Sequence, residues 1–135
     1  MDYKKPLPVI TPLERSFWEH TRKHELRLQC CSDCGHYRYP ASPVCADCDS
    51  DSFTWTRVSG RGKIISWVVF HRCYFPSFAD DIPYNVAMIA LQEGPVMVSN
   101  VLAPNDDLHI GMPVEVAFED ATATISIPKF KPVAT

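Results

Sequence analysis

The sequence predicts a mainly β protein in which an N-terminal helix and a small cysteine-based ribbon precede a small β-barrel. Three observations predict this fold class. Two C-x-x-C pairs with ten residues between them indicate a ribbon folded around a metal ion. One amphipathic segment near the N-terminus indicates a single helix. Several short runs rich in Val, Ile, Phe and Trp then follow, and they are typical of a small barrel.

Length and charge limit the possible classes of protein. The 135 residues suffice for one ordinary domain, or for two small ones if a metal ion replaces part of a core. We divide the chain into a leader and docking helix (1–26), a ribbon (27–53) and a barrel with a C-terminal tail (54–135). A net charge of −3 gives no strong attraction for polyanions. The N-terminus lacks the apolar stretch of an export signal, which predicts a cytoplasmic protein.

The N-terminal segment carries the signals of a helix start. Thr11 is the predicted N-cap, Pro12 is tolerated at the first helical position and Glu14 completes a capping box, so we expect a helix from Pro12 to about His24. Its apolar face comprises Leu13, Phe17, Trp18 and Thr21. Because so short a helix is unstable alone in water, this face must pack on the rest of the chain or on a partner. Phe17 and Trp18 are therefore candidate interface residues.

Four cysteines predict a structural zinc site. The candidate ligands are Cys31, Cys34, Cys45 and Cys48. Two C-x-x-C turns supply four soft thiolates, which fill a tetrahedral Zn²⁺ site and leave no open position for catalysis. The alternatives are two disulfides, or iron in the same S₄ cage as in rubredoxin-like electron carriers. Rubredoxin-like carriers usually have a glycine after both cysteine turns, whereas Asp49 follows the second turn here. Cys30 could replace Cys31 as the first ligand, and the first pair, Cys30 and Cys34, would then have C-x₃-C spacing.

The segment after residue 53 predicts five or six short strands. The expected strands are residues 54–59, 62–71, 85–91, 96–102, 114–118 and 122–127. Gly60 and Gly62 lie where a long first strand bends to close a barrel. The connection at residues 103–113 is too short for a full helix. We therefore expect an OB-fold in which the usual helix is reduced to a turn.

The stretch from residue 70 to residue 84 is dense in aromatic residues for a solvated loop. Its candidate partner-interface residues are Tyr74, Phe75, Phe78 and Tyr84. The alternative is a loop that folds over one mouth of the barrel. Arg57, Arg61 and Lys63 are candidates for binding phosphate groups, although three cations on a strand are more often a solvated face.

Two classes of function, single-stranded nucleic-acid binding and independent catalysis, fit the sequence poorly. Single-stranded nucleic-acid binding suits ribbons, OB-folds and stacking aromatics. However, the predicted barrel carries six Lys and Arg against eight Asp and Glu, which gives no basic groove. Independent catalysis by a Cys/His pair would need His71 and Cys73, but no third group that could orient them is evident.

The order of motifs along the chain resembles a known family. A helix with Phe17-Trp18-Glu19 precedes the two cysteine turns, and Gly60-Arg-Gly62, Pro83-Tyr84 and Gly111-Met112-Pro113 follow. This order resembles that of the zinc-ribbon/OB-fold family of acyl-CoA-associated proteins, over residues 11–127. The resemblance implies a non-catalytic accessory subunit of a thiolase-like, aldolase-type or hydratase enzyme. It also implies acyl-CoA as a substrate of the complex, and Arg57, Arg61 and Lys63 are then the candidates for binding its phosphates.

Overall fold

A computed structural model describes residues 3–133, so the first two residues of the predicted leader and the last two of the predicted tail lie outside the described residues. Within residues 3–133 the elements are one helix, α1 (Arg15–Thr21), and eight strands: β1 (Arg27–Cys31), β2 (Tyr37–Arg38), β3 (Phe53–Arg57), β4 (Arg61–Phe70), β5 (Tyr84–Leu91), β6 (Val96–Ser99), β7 (Pro113–Asp120) and β8 (Ser126–Pro132). Short 3₁₀ turns span Pro76–Phe78 and Asn105–Asp107. The predicted mainly β fold class, with a helix, a ribbon and a barrel, is confirmed.

The helix is shorter than the sequence signals predict. The carbonyl of Thr11 accepts the N–H of Glu14 at 3.1 Å, so residues 12–14 form a tight turn and α1 begins after Glu14. Half of the predicted capping box is present. The hydroxyl of Thr11 accepts the N–H of Glu14 at 3.4 Å, whereas the side chain of Glu14 makes no capping hydrogen bond. At the other end His24 adopts a left-handed conformation (φ 61°), and Glu25 donates to the carbonyl of His20 at 3.0 Å. This 6→1 bond is the C-terminal motif that stops a helix.

The helix packs on its own chain. Phe17 is 6% exposed and Thr21 is fully buried. The ring of Phe17 meets that of Tyr39 edge-on at 5.8 Å between centroids, and α1 contacts both β1 and β8. The apolar face of the helix is therefore used within the chain. Of the two packing modes left open by the sequence, Phe17 adopts the one within the chain and belongs to the core, so it offers little surface to a partner. Trp18 is half-buried, and its role at an interface stays a prediction.

The ribbon contains a three-stranded antiparallel sheet in the order β2-β1-β3. β3 pairs with β1 along its whole length, from Arg27 opposite Arg57 to Cys31 opposite Phe53. Most of the segment 54–59, predicted as the first barrel strand, therefore lies in the ribbon sheet. The β propensity of this segment correctly predicts a strand, but propensity does not determine which other strand it pairs with.

The five remaining strands form one curled sheet in the order β6-β5-β4-β7-β8. A parallel bridge between Val101 and Phe130 joins the segment after β6 to β8. The N–H of Phe130 donates to the carbonyl of Asn100 at 3.0 Å, and Leu102 donates to the carbonyl of Phe130 at 2.7 Å. These bonds join the two ends of the sheet and give the predicted OB-type barrel. One 3₁₀ turn, Asn105–Asp107, replaces the helix, as expected.

The last strand lies farther along the chain than predicted. Residues 121–125 form a turn, in which Ala121 donates to the carbonyl of Ile125 at 3.0 Å, and the strand runs over Ser126–Pro132. Pro128 and Pro132 made this segment a poor strand candidate. β8 is the terminal strand of the sheet order, a position that tolerates residues without an N–H donor.

Glycine allows close approach where the barrel strands cross. A Cβ on Gly62 would lie 2.6 Å from the carbonyl oxygen of Ala90 on β5. Gly60 has φ 76°, and a Cβ there would collide with the side chain of Val116 on β7. Both glycines lie around the start of β4, as the predicted bend requires.

No helix in residues 3–133 has the length and apolarity to cross a membrane, and the cytoplasmic location stays a prediction.

Candidate metal centre and binding surfaces

The four predicted ligands meet at one end of the ribbon. The Sγ atoms of Cys31, Cys34, Cys45 and Cys48 all lie within 4.8 Å of one another. Two of the pairs, Cys31 with Cys48 and Cys34 with Cys45, are 3.5 Å and 3.6 Å apart. Metal–sulfur bonds of about 2.3 Å in a tetrahedron place the sulfur atoms about 3.8 Å apart, so the four thiols fit a single ion.

Both cysteine turns have the same backbone geometry. Gly35 donates to the carbonyl of Cys31 at 2.9 Å, and Asp49 donates to the carbonyl of Cys45 at 2.9 Å. Each donor adopts a left-handed conformation, with φ 78° at Gly35 and φ 61° at Asp49. Asp is one of the few non-glycine residues that visit this conformation. The missing second glycine therefore does not prevent the second turn from forming.

The backbone prepares one thiol for metal binding. Hydrogen bonds from backbone N–H groups, chiefly that of Cys34 and then that of Asp33, lower the pKa of Cys31 to about 6, although burial of the thiol acts in the opposite direction. The thiolate is the form that binds a metal ion. The turn therefore favours the ligand form of Cys31 at neutral pH.

Cys30 is not part of the cluster. It lies in β1 opposite Tyr37, and its Sγ is 3.6 Å from the carbonyl oxygen of Gly35. The group of metal-binding side chains found within residues 3–133 contains Cys31 instead. The structure thus selects the C-x-x-C register for the first pair.

Polar contacts that were not predicted hold the two turns together. Ser50 donates to the carboxylate of Asp33, and His36 lies 2.9 Å from the carboxylate of Asp47. Each contact joins the segment around the first cysteine pair to the segment around the second. Ser, Asp and His are common on protein surfaces, so the sequence alone does not indicate which of these residues form the contacts.

A buried amide fixes the segment between the two turns. Gln29 is 0% exposed; its Oε1 accepts the N–H of Ser42 at 2.8 Å and its Nε2 donates to the carbonyl of Ser42 at 3.0 Å. Arg38 donates to the same Oε1 at 3.1 Å and stacks over the ring of Phe53 at 4.8 Å. The second cysteine turn is thereby tied to β1 independently of the ion.

The aromatic loop forms a stacked cluster beside the barrel. Phe70 stacks on Tyr84 at 5.2 Å, and Phe78 contacts Tyr84 at 5.4 Å, between ring centroids. Phe78 and Tyr84 are half-buried, whereas Tyr74 is 59% exposed and Phe75 is 54% exposed. Four of the six predicted interface residues thus lie in one loop with an exposed tip. Their role in binding a partner stays a prediction.

Two of the three candidate cations line one groove. Arg61 and Lys63 border a largely apolar groove of about 410 Å³ between β4, β5 and β7. Its apolar lining residues are Ile65, Ala90, Leu91, Pro113, Val114 and Val133. Arg57 is exposed in the ribbon sheet and is not among the residues that line this groove.

The Cys/His pair weighed as a catalytic alternative is not assembled. Cys73 is exposed, and its Sγ lies 2.9 Å from the carbonyl oxygen of Phe75. Among the described residues its thiol makes no hydrogen bond to His71.

Two family models match the chain. The rubredoxin-like zinc ribbon domain of ChsH2 matches residues 18–54, and the C-terminal OB-fold domain of ChsH2 matches residues 55–119. The chain is 30% identical to a DUF35 domain-containing scaffold protein of Pyrococcus furiosus, over 87% of this chain and 90% of that protein. A probable enoyl-CoA hydratase alpha subunit of Thermomonospora curvata is 34% identical over 95% of this chain. This chain covers about 40% of the length of that subunit.

Solved structures show the same fold. A chain of the Ltp2-ChsH2(DUF35) aldolase superposes with a TM-score of 0.85 at 30% identity, over 95% of this chain and 100% of that one. A DUF35 protein of Sulfolobus solfataricus shares the fold with a TM-score of 0.61 at 12% identity, over 90% of this chain and 86% of that one. The ribbon, the barrel and these relatives together show that the chain belongs to the ChsH2/DUF35 family.

Proposed function

We propose that this chain is a non-catalytic accessory subunit that binds an acyl-CoA enzyme, either a member of the thiolase superfamily (thiolase, aldolase or acyltransferase) or a hydratase. The observation that carries the proposal is the whole-chain likeness to a chain of the Ltp2-ChsH2(DUF35) aldolase. The names of the relatives, hydratase alpha subunit and DUF35 scaffold protein, agree with it.

The chemistry of the cysteine site supports an accessory role. Four thiols use all four positions of a tetrahedral ion, so no position is left to activate water or substrate. We propose that the ion is Zn²⁺, which is redox-inactive and, when bound, cross-links the two cysteine turns. The ion then rigidifies the ribbon, which lowers the entropic cost of presenting a binding surface. The catalytic groups belong to the partner.

Affinity capture from the native host tests the proposal. The tagged chain is expected to retain a thiolase-like, aldolase-type or hydratase enzyme, identified by mass spectrometry and confirmed by reciprocal capture. Turnover of an acyl-CoA substrate by the purified chain alone would contradict the accessory role. Recovery of only nucleic-acid-binding partners would contradict the assignment to acyl-CoA metabolism.

The exposed tip of the aromatic loop supplies a contact for that partner. Aromatic side chains at the centre of an interface dominate its binding energy. We expect Tyr74→Ala and Phe75→Ala each to weaken binding of the captured enzyme by about 2 kcal/mol, measured by isothermal titration calorimetry. Because both side chains are more than half exposed, the thermal unfolding midpoint should change little. Ile110→Ala, which removes another exposed apolar side chain, is the control; unchanged binding by both loop variants would remove the loop from the interface.

The groove beside Arg61 and Lys63 is the proposed contact for acyl-CoA. Its apolar walls suit an acyl chain or pantetheine arm, and the two cations suit phosphate groups. Arg57 remains a weaker candidate, because it does not line the groove.

The paired cations give the acyl-CoA proposal a direct test. Arg61→Ala combined with Lys63→Ala is expected to weaken CoA binding by the complex about tenfold and to flatten its salt dependence, since two charge-assisted contacts are lost. Arg22→Ala combined with Lys23→Ala is the charge-matched control, because both side chains are exposed and neither lines the groove. If calorimetry at two salt concentrations gave equal CoA affinities for the double variant and the wild type, the groove would not be the CoA-binding site.

A further inference from the structure

The outer face of the barrel hairpin is apolar and exposed. Val68 is 54% exposed, Met88 42% and Val98 58%. Met88 lies directly opposite Val98, and Val68 lies directly opposite Val86, so these residues share one face of β4, β5 and β6. The alternate residues on β5, such as Ile89, are buried in the core.

The sequence of β4 and β5 is largely apolar on both faces, although Ser66 lies opposite Met88 on the outer face. β4 contains the run Ile-Ile-Ser-Trp-Val-Val-Phe at residues 64–70, and β5 contains Val-Ala-Met-Ile-Ala-Leu at residues 86–91. A strand with one solvated face alternates apolar and polar residues, whereas a strand covered on both faces is apolar throughout. Exposed apolar patches on soluble proteins mark interaction sites. The pattern therefore predicts that a second surface covers this face.

This face continues into the aromatic loop. Phe70 ends β4 and Tyr84 begins β5; the two residues are paired in the sheet and their rings stack at 5.2 Å. The loop between them carries the exposed rings of Tyr74 and Phe75. A partner that covers the loop tip can therefore extend over the strands without a break in apolar surface.

The charges at the edge of this face identify the kind of partner. Within the described strands β4, β5 and β6, the charged residues are Arg61 and Lys63, and there is no carboxylate. A second copy of the chain offers the same cations, and the carboxylate beside them, that of Glu115 opposite Arg61, already lies 3.8 Å from Lys131. An acyl-CoA enzyme that is apolar at the centre of the contact and presents anionic groups at its edge, such as the phosphates of its bound CoA, complements both features and keeps Arg61 and Lys63 in the role proposed above.

We propose that the outer face of β4, β5 and β6, centred on Met88, is the docking surface for the catalytic subunit. The inference rests on the proposed function and adds to it the place of docking and the chemistry of the partner's surface. Met88 and Val98 lie at the centre of the contact, and the aromatic loop extends it at one end.

Substitution by a carboxylate tests this surface in the full chain. Met88→Glu and Val98→Glu each place a charge on the apolar face, where docking would bury it. Binding to the enzyme identified by affinity capture is expected to weaken by about 30-fold or more, measured by biolayer interferometry. Both side chains are exposed, so the circular dichroism spectrum and the zinc content should be unchanged. Ile110→Glu, at a residue 64% exposed outside these strands, should bind normally and controls for net charge.

The possible outcomes separate the inference from the proposed function. If both variants bind the enzyme as tightly as the wild type, this docking surface is wrong while the accessory role stands. If the wild-type chain binds no acyl-CoA enzyme, both fail. If sedimentation shows a wild-type dimer that the two variants abolish while enzyme binding persists, the face joins two copies and the inference is overturned.

Discussion

Replacing Cys45 with serine is expected to abolish metal binding and to unfold the ribbon. Cys45 is 0% exposed, and its Sγ is 3.6 Å from that of Cys34. Serine offers a hydroxyl that does not ionise at neutral pH, so the ion loses one of four strong ligands. Structural zinc contributes on the order of 10 kcal/mol to small metal-folded units. We therefore expect the zinc content to fall from one ion per chain to below about one tenth, measured by inductively coupled plasma mass spectrometry.

Cys30→Ser is the matched control for this loss. Cys30 is adjacent to a ligand in sequence, yet it is outside the cluster. The variant should retain one zinc ion per chain and a native circular dichroism spectrum. Loss of the ion from Cys30→Ser, or retention of zinc by Cys45→Ser, would contradict the ligand set. One iron per chain instead of zinc would correct the identity of the ion but not the ligands.

Replacing Phe130 with alanine is expected to produce the largest loss of stability in the barrel. Phe130 is 0% exposed, pairs with Val116 on β7 and bridges to Val101, where the two ends of the sheet meet. Removing a fully buried ring leaves a cavity that the surrounding strands fill only in part. We expect the free energy of unfolding to fall by about 3–5 kcal/mol, measured by urea denaturation.

Lys131→Ala provides the comparison within the same strand. The side chain of Lys131 is 54% exposed and forms only a long ion pair of 3.8 Å with Glu115. We expect its loss to change the unfolding free energy by less than about 0.5 kcal/mol. If Phe130→Ala and Lys131→Ala lowered the free energy of unfolding by similar amounts, the closure at Phe130 would not stabilise the barrel.

The ribbon could be predicted from sequence because its determinants are local. Each C-x-x-C pair and the residue after it specify one turn, and the structure repeats the same turn at Gly35 and Asp49. The pairing of β3 with β1 was not predictable in this way. It joins residues far apart in sequence, such as Cys30 and Thr54, which are 24 positions apart, and strand composition carries no information about the partner.

The barrel shows a second limit of sequence interpretation. The position of β8 was not predicted because it contains two prolines, and proline within a sheet is tolerated mainly at an edge strand. Whether a strand lies at the edge depends on the topology, which the local sequence does not show. The outer apolar face was missed for a different reason. The apolar runs in β4 and β5, interrupted in β4 by Ser66, predict strands. A run of apolar residues does not by itself show which face of a strand stays exposed.

Native mass spectrometry of the complex purified from its host, before and after zinc chelation, shows whether a zinc-stabilised chain binds an acyl-CoA enzyme. We expect a particle containing this chain, an acyl-CoA enzyme and one zinc ion per copy of this chain. Chelation is expected to release the zinc and to dissociate the enzyme. Leu28 of the ribbon belongs to the same hydrophobic core as Ile64 and Ile89 of the docking strands, so loss of the ribbon fold disturbs the docking surface. An isolated chain with no enzyme bound, or a complex that survives complete removal of the metal, would refute the proposed role of the ion in assembly.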